Sequence, residues 1–191
     1  MPDLGLQTAA QQHFGFLTER GYRCIESTPY RVRFESPSVF VELVFDGNRS
    51  YELGLLIGKK GSANPPFSID EMLRFRRAPE AGRFSLVQVT SNDALASFVA
   101  QFAQMLRKYG ESFVAGSEQS FAELAEQRRR EVQTYALERD LRIARAEAET
   151  AWRKKDYPAV VKALKPLRAA LTAAEVGKLE FAEKQSHKAT D

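Results

Sequence analysis

The chain has 191 residues, 43% hydrophobic and 28% charged, an ordinary globular balance that excludes wholesale disorder. Its formal net charge of +3, spread evenly along the length, is not the concentrated basic footprint that nucleic-acid binding needs. Cys24 is the only cysteine, which excludes an internal disulfide and a thiolate metal cluster, and no apolar run approaches the ~20 residues that span a bilayer.

From the N-terminus, Leu6, Ala10, Phe14 and Leu17 recur at helical spacing up to Gly21, predicting an amphipathic helix over residues 5–20 that packs on a sheet. The segment before it has neither the basic nor the apolar stretch of a secretory signal, so a cytoplasmic location is expected. His13 borders the apolar stripe and reads as a boundary histidine rather than a ligand. Residues 21–27 read as a first strand, with Cys24 as a small buried hydrophobe.

The chain is organised around residues 30–58. Three period-two rows follow one another: Tyr30, Val32, Phe34; then Val39, Val41, Leu43, Phe45; then Tyr51, Leu53, Leu55, Ile57. Together with the first strand they predict a four-stranded antiparallel meander with flanking helices, an α+β domain. Aligning the apolar rows pairs Phe34 with Val39, Val32 with Val41 and Leu43 with Leu53, turning at Ser36-Pro37 and at Gly47-Asn48-Arg49. The opposite face then carries Arg31, Arg33, Phe40, Glu42, Val44, Glu52, Gly54 and Leu56, with Arg31 opposite Glu42 and Glu52 diagonal to it. This is either a cross-strand ion pair of about 0.2–1 kcal/mol or a polar recognition patch beside two apolar side chains.

Gly58-Lys59-Lys60-Gly61 imitates a nucleotide-clamping GXXG, but a strand precedes it and Pro65-Pro66 follow, so the required helical frame is missing, and it does not fit a phosphate loop. Ser68 and Glu71 form a capping box opening a helix to about Arg76, with Arg74, Arg76 and Arg77 at its end. Residues 83–90 alternate weakly and read as an extended segment or a loop. From Ser91 to Gly110, Leu95, Phe98, Val99, Phe102, Leu106 and Tyr109 make an amphipathic helix suited to covering the second face of the sheet.

Residues 117–155 contain no proline or glycine and read as one long helix. Phe121, Leu124, Ala125, Val132, Tyr135 and Ala136 make one stripe; Leu137, Leu141, Ala144, Ala148 and Ala151, ending beside Trp152, make a coiled-coil-like seam for a partner helix, from the same chain or from a second copy in a homodimer. Arg128, Arg129 and Arg130 are flanked by Glu126 and Glu131 and read as a solvated face. Asp156-Tyr157-Pro158 opens a helix interrupted near Pro166, and Thr172 with Glu175 caps a last helix. The expected organisation is an α+β domain over 1–115 and a helical extension over 116–191, with an αα-hairpin over 158–186.

Two resemblances add to this reading. The run Ala148-Glu-Thr-Ala-Trp152-Arg-Lys-Lys-Asp156-Tyr157-Pro-Ala-Val160-Val-Lys-Ala-Leu164 resembles the middle of a tetratricopeptide unit, implying one helical hairpin of that type. Residues 33–36 and 50–54, with their downstream helices, resemble small bacterial α+β proteins, some similar to immunity proteins of toxin systems, which implies a cytosolic protein that binds another protein. Arg31, Phe40, Glu42, Glu52, Lys59 and Lys60 are the candidate binding residues, and no cofactor or metal is expected. The alternatives are a nucleic-acid accessory protein using Lys59, Lys60, Arg74, Arg76, Arg77 and Arg128–Arg130, and a hydrolase using Glu35, Glu42, Asp46 and Glu52.

Overall fold

The computed structural model describes residues 3–188 and, within the last helix, side chains only to Ser186. It is α+β and divides into two compact units, Met1–Arg128 and Arg129–Asp191. Helix α1 (Leu6–Glu19) leads into five strands: β1 (Arg23–Thr28), β2 (Arg31–Glu35), β3 (Val39–Phe45), β4 (Leu53–Lys59) and β5 (Phe67–Ser68). All neighbours run antiparallel in the order β1-β2-β3-β4-β5. The meander therefore has a fifth, two-residue strand that the sequence pattern did not reveal. The unit is completed by α2 (Ile69–Phe75), α3 (Asn92–Tyr109), α4 (Glu111–Val114) and the first turns of α5 (Glu118–Arg153).

The apolar rows face inward as expected except at Tyr51, which is exposed before β4 begins, but both hairpins slip by two residues relative to the register read from sequence. Phe34 pairs with Val41, Val32 with Leu43 and Leu43 with Leu55. A two-residue slip preserves the face of every side chain, so the hydrophobic pattern is indifferent to it and the turns decide. At the first turn the Ser36 hydroxyl accepts from the Val39 backbone N–H at 3.0 Å. At the second, Asp46 accepts from the backbone N–H groups of Asn48, Arg49 and Ser50, stabilising a seven-residue loop in which Tyr51 takes φ 54°. Glu52 is thereby lifted out of the ladder and bridges to Gln88, within the 83–90 segment that is otherwise irregular.

Helices α1 and α3 both pack on the apolar face. Phe14, Leu17, Leu95, Val99, Phe102 and Leu106 form one buried cluster with Val32, Val41, Leu43, Leu55 and Ile57. The expectation that α3 covers the second face is wrong, because its apolar stripe gains most from the wholly apolar side and would strand charges on the other. Phe40, Val44 and Leu56 of the second face stay half-buried and outside that cluster.

Cys24 also departs from expectation. It is exposed, on the edge strand β1. Next to it Ile25 is the extra residue of a β-bulge: Cys24 pairs with Phe34, but Glu26 pairs with Arg33. Without the bulge, Ile25 would lie opposite Arg33 and Glu26 would be turned to the core. The bulge instead delivers Glu26 to the charged face.

In the second unit, α5 continues beside α6 (Tyr157–Leu164), a 3-10 segment (Lys165–Ala170) at Pro166, and α7 (Ala173–Lys188). Ala144, Ala148 and Ala151 of the alanine seam are buried against Val160, Leu164, Leu179 and Ala182, so intrachain helices fill that part of the seam. Leu137, at its N-terminal end, is exposed. Trp152, Tyr157 and Phe181 form an aromatic trio with ring centroids 5.5–5.9 Å apart. The other expected stripe splits: Phe121 and Leu124 are buried in the first unit, whereas Val132 and Tyr135 are exposed.

Candidate functional site

Alternation along the strands projects Arg31, Arg33 and Glu35 of β2 from the second face, beside Phe40, Glu42 and Val44 of β3 and Gly54, Leu56 and Gly58 of β4. There, six charges alternate in sign across the sheet. Lys60 Nζ lies 2.7 Å from Glu35 Oε2, and Arg33 Nε 2.9 Å from Glu35 Oε1. Glu42 Oε1 sits 3.2 Å from Arg31 Nε and 3.6 Å from Arg33 Nη1, and Arg31 reaches Glu26 at 3.9 Å. Three bases and three acids cancel, so the face has pattern without net field.

Glu42 is the centre of this ladder. It is 94% buried by the guanidinium groups above it, and its Oε1 accepts no hydrogen bond although two arginines lie within ion-pair distance. Charge is balanced there while the directional bond is missing, because neither arginine aims an N–H at that oxygen. The hydrogen bond from Lys60, aided by Arg33, holds the Glu35 carboxyl below its usual range.

Apolar surface is interleaved with the charges. The Arg33 guanidinium lies 3.8 Å above the Phe40 ring. Opposite Phe40 stands Gly58, where a Cβ would come within 2.6 Å of the ring, so glycine is what lets the ring lie against β4. A cavity of about 610 Å3 opens at one end of the face, with Val44, Gly54 and Leu56 as its floor and Arg31, Glu52 and Leu86 among its walls. Leu86 is 62% exposed on that rim.

Of the residues expected to bind, Arg31, Phe40, Glu42 and Lys60 come together on this face. The expected pairing of Arg31 opposite Glu42 is corrected: Arg33 stands opposite Glu42 and Arg31 approaches diagonally. Glu52 is at the cavity wall, not diagonal to Glu42, and Lys59 points elsewhere, into an ion pair with Glu118. Arg33, Glu35 and Glu26 complete the ladder. Arg33 and Glu35 were legible as same-face neighbours of Arg31, whereas Glu26 arrives only through the bulge.

Most cations of the nucleic-acid alternative are committed within the fold. Lys59 pairs with Glu118, Lys60 with Glu35 and Arg74 with Asp70, while Arg76 bonds Ser112 and lies over the Phe75 and Phe113 rings. Arg77 terminates α2 with φ 51°, and Arg129 and Arg130 are also engaged. Arg128 is not on a solvated face. It donates to both Glu71 oxygens at 2.5 and 2.8 Å and to the carbonyls of Pro65 and Pro66 at 2.9 and 2.7 Å, over the Phe67 ring at 3.9 Å.

Three acids of the hydrolase alternative, Glu35, Glu42 and Asp46, are similarly occupied, while Glu52 lines the cavity. Asp46 organises its loop, and the hydrogen bond from the Asn48 backbone leads those that lower its pKa. Glu35 and Glu42 are arginine-paired, and the hydrogen bonds from Lys60 and Arg33 favour the ionised form of Glu35. Among the described residues no three His, Cys, Asp or Glu side chains converge as a metal set, and no helix is long and apolar enough to cross a membrane.

No protein-family model matches the chain, and no curated protein or solved structure matches it either.

Proposed function

We propose that this chain is a non-enzymatic, cytoplasmic protein-binding module whose recognition surface is the second face of the sheet. The observation that carries the reading is the six-charge ladder from Lys60 to Glu26 interleaved with Phe40, Val44 and Leu56. Such a face combines positional charge information with apolar area, the combination by which protein partners are selected, and it lacks the unpaired cations that a phosphate backbone requires. The partner that fits presents an apolar side chain to the Val44–Gly54–Leu56 floor and a carboxylate to Arg31, whose side chain is 52% exposed. The likeness to immunity proteins suggests a toxin as that partner, held by occlusion of its working surface.

The test is affinity capture from native lysate with and without nuclease, comparing the wild-type chain with Leu56→Arg and with Lys178→Ala as a remote control. A stoichiometric protein retained by wild type and control after nuclease, but lost with Leu56→Arg, supports the proposal. Capture that disappears with nuclease, or that is indifferent to Leu56→Arg, overturns it.

A further inference from the structure

The cavity at the end of the charged face reaches further than its floor. On the side away from β3, β4 pairs with β5 at Leu56 and Ile57, and meets the 83–90 segment at Glu52 and Leu53. Between these stretches Gly54 and Leu55 have no ladder partner on that side among the described residues, which leaves a gap at the sheet edge. The lining accordingly joins Leu56, on the second face, to Ile69, Phe84 and Phe102 of the buried cluster. At about 610 Å3 the cavity falls within the ~300–1,000 Å3 range of small-molecule sites, and it shares their anatomy of an apolar interior with a few polar groups.

Charge at the mouth selects the ligand. Arg31 is answered by Glu26 and Glu42, and Asp46 by the N–H groups of its own loop. The exposed Glu52 carboxylate has no partner among the described residues. A free anion inside the cavity would face Glu26, Asp46 and Glu52 against one guanidinium, whereas a cation would answer Glu52 and lower the local excess of negative charge.

We propose that this cavity binds a small organic cation, with its ammonium group at Glu52 and an apolar body extending past Leu56 toward Phe84 and Phe102. The aromatic walls suit a ring, which gains contact area there and packs edge to face. One lysine of a docked protein would answer Glu52 but leave the inner part of the cavity unfilled, forfeiting those contacts. Because the same floor is offered to a docking protein, bound cation and docked protein exclude each other. That competition alone rests on the protein-binding reading; the ligand site does not.

The full chain, with no partner present, is titrated in low salt with phenylbutylammonium, phenylbutanol, phenylpentanoate and Nα-acetyl-lysine methylamide, following backbone amide shifts by NMR. The ammonium ion is expected to saturate, with its largest shifts at Gly54, Leu56 and Leu86. The alcohol should bind about three- to fivefold more weakly, the worth of a solvent-screened ion pair, and the carboxylate more weakly still. The lysine derivative has the charge without the ring and should be about tenfold weaker than the ammonium ion. Glu52→Gln, with circular dichroism unchanged, removes the advantage of the ammonium ion over the alcohol. Absence of saturable ammonium binding, or shifts centred elsewhere, overturns the proposal. Equal affinity for ammonium ion, alcohol and carboxylate does so too, as does an ammonium advantage that survives Glu52→Gln. Parity of the lysine derivative with the ammonium ion overturns it in favour of a basic side chain of a protein. Failure of any of these leaves the lysate capture to decide the protein-binding reading separately.

Discussion

The first unit buries Phe14, Phe102, Phe113 and Tyr22 almost completely, each meeting residues far away in sequence, whereas the buried cluster of the second is built on Ala144, Ala148, Ala151 and Ala182 with only a few larger aliphatics. Large side chains lock a sheet to two helices through area removed from water. Alanines permit close helix approach but contribute little area, so the second unit relies more on its edges. There, Arg145 is paired with Glu175 at 2.6 Å, Lys178 with Glu149 at 2.9 Å, and Lys178 lies 4.8 Å over Trp152. The first unit should therefore respond to cavities and the second to charge.

The largest expected effect is that of Phe113→Ala. Phe113 is fully buried and meets Phe121 and Phe75 edge-on at 5.3 and 5.9 Å, joining α4, α5 and α2. Removing the ring should cost about 3–5 kcal/mol. Chemical denaturation measures the loss, and hydrogen exchange should show it in strand amides of the first unit. Equal loss of protection in α6 and α7 would contradict the contrast drawn between the units.

Arg128→Ala comes next. Glu71 is pushed up by burial, but the hydrogen bonds from Arg128 and from the Ser68 backbone outweigh this and leave its carboxyl below the usual range. Without the guanidinium, a partly buried carboxylate and two proline carbonyls lose their donors, at a cost of about 1–3 kcal/mol. Arg128→Lys should recover only part of this, since an ammonium cannot make the forked contact with Glu71 while also lying flat on Phe67. Full rescue by lysine, measured by the same denaturation midpoint, would mean that charge alone is sufficient here.

How far each unit was legible depends on what encodes it. Helix starts are written locally, and the boxes at Ser68 and Thr172 and the cap at Asp156 are found where the residues suggested. Strand faces are also local, because alternation survives any two-residue slip. Register is not, since it rests on Ser36 and Asp46 side chains folding back on their own turns. The charged face was half visible: Arg31, Phe40 and Glu42 follow from alternation, but Glu26 depends on a bulge that no composition signals. Arg128 was misread because its neighbours are charged and helical, and only the tertiary position of Pro65, Pro66 and Phe67 distinguishes it from Arg129.

The smallest effect is the most specific to the second unit. The Glu175 carboxyl is lowered to about 2 by the Arg145 hydrogen bond first and the Thr172 backbone N–H second. Its ordinary value is 4.5, so the folded pKa is depressed and the group stabilises the fold above that value. This stabilisation is lost as pH falls from 4.5 toward about 2, because protonation removes the charge that Arg145 and the helix N-terminus favour. Glu175→Gln should cost about 0.2–1 kcal/mol at neutral pH, as for a solvent-screened pair, and almost nothing at the acid end of that window. Comparing α7 amide exchange in the variant and wild type at several pH values reads this directly: the two profiles should converge on acidification, while first-unit amides remain indifferent to the substitution throughout. A gap that persists unchanged at low pH would assign the effect of Glu175 to its shape in the cap and not to its charge.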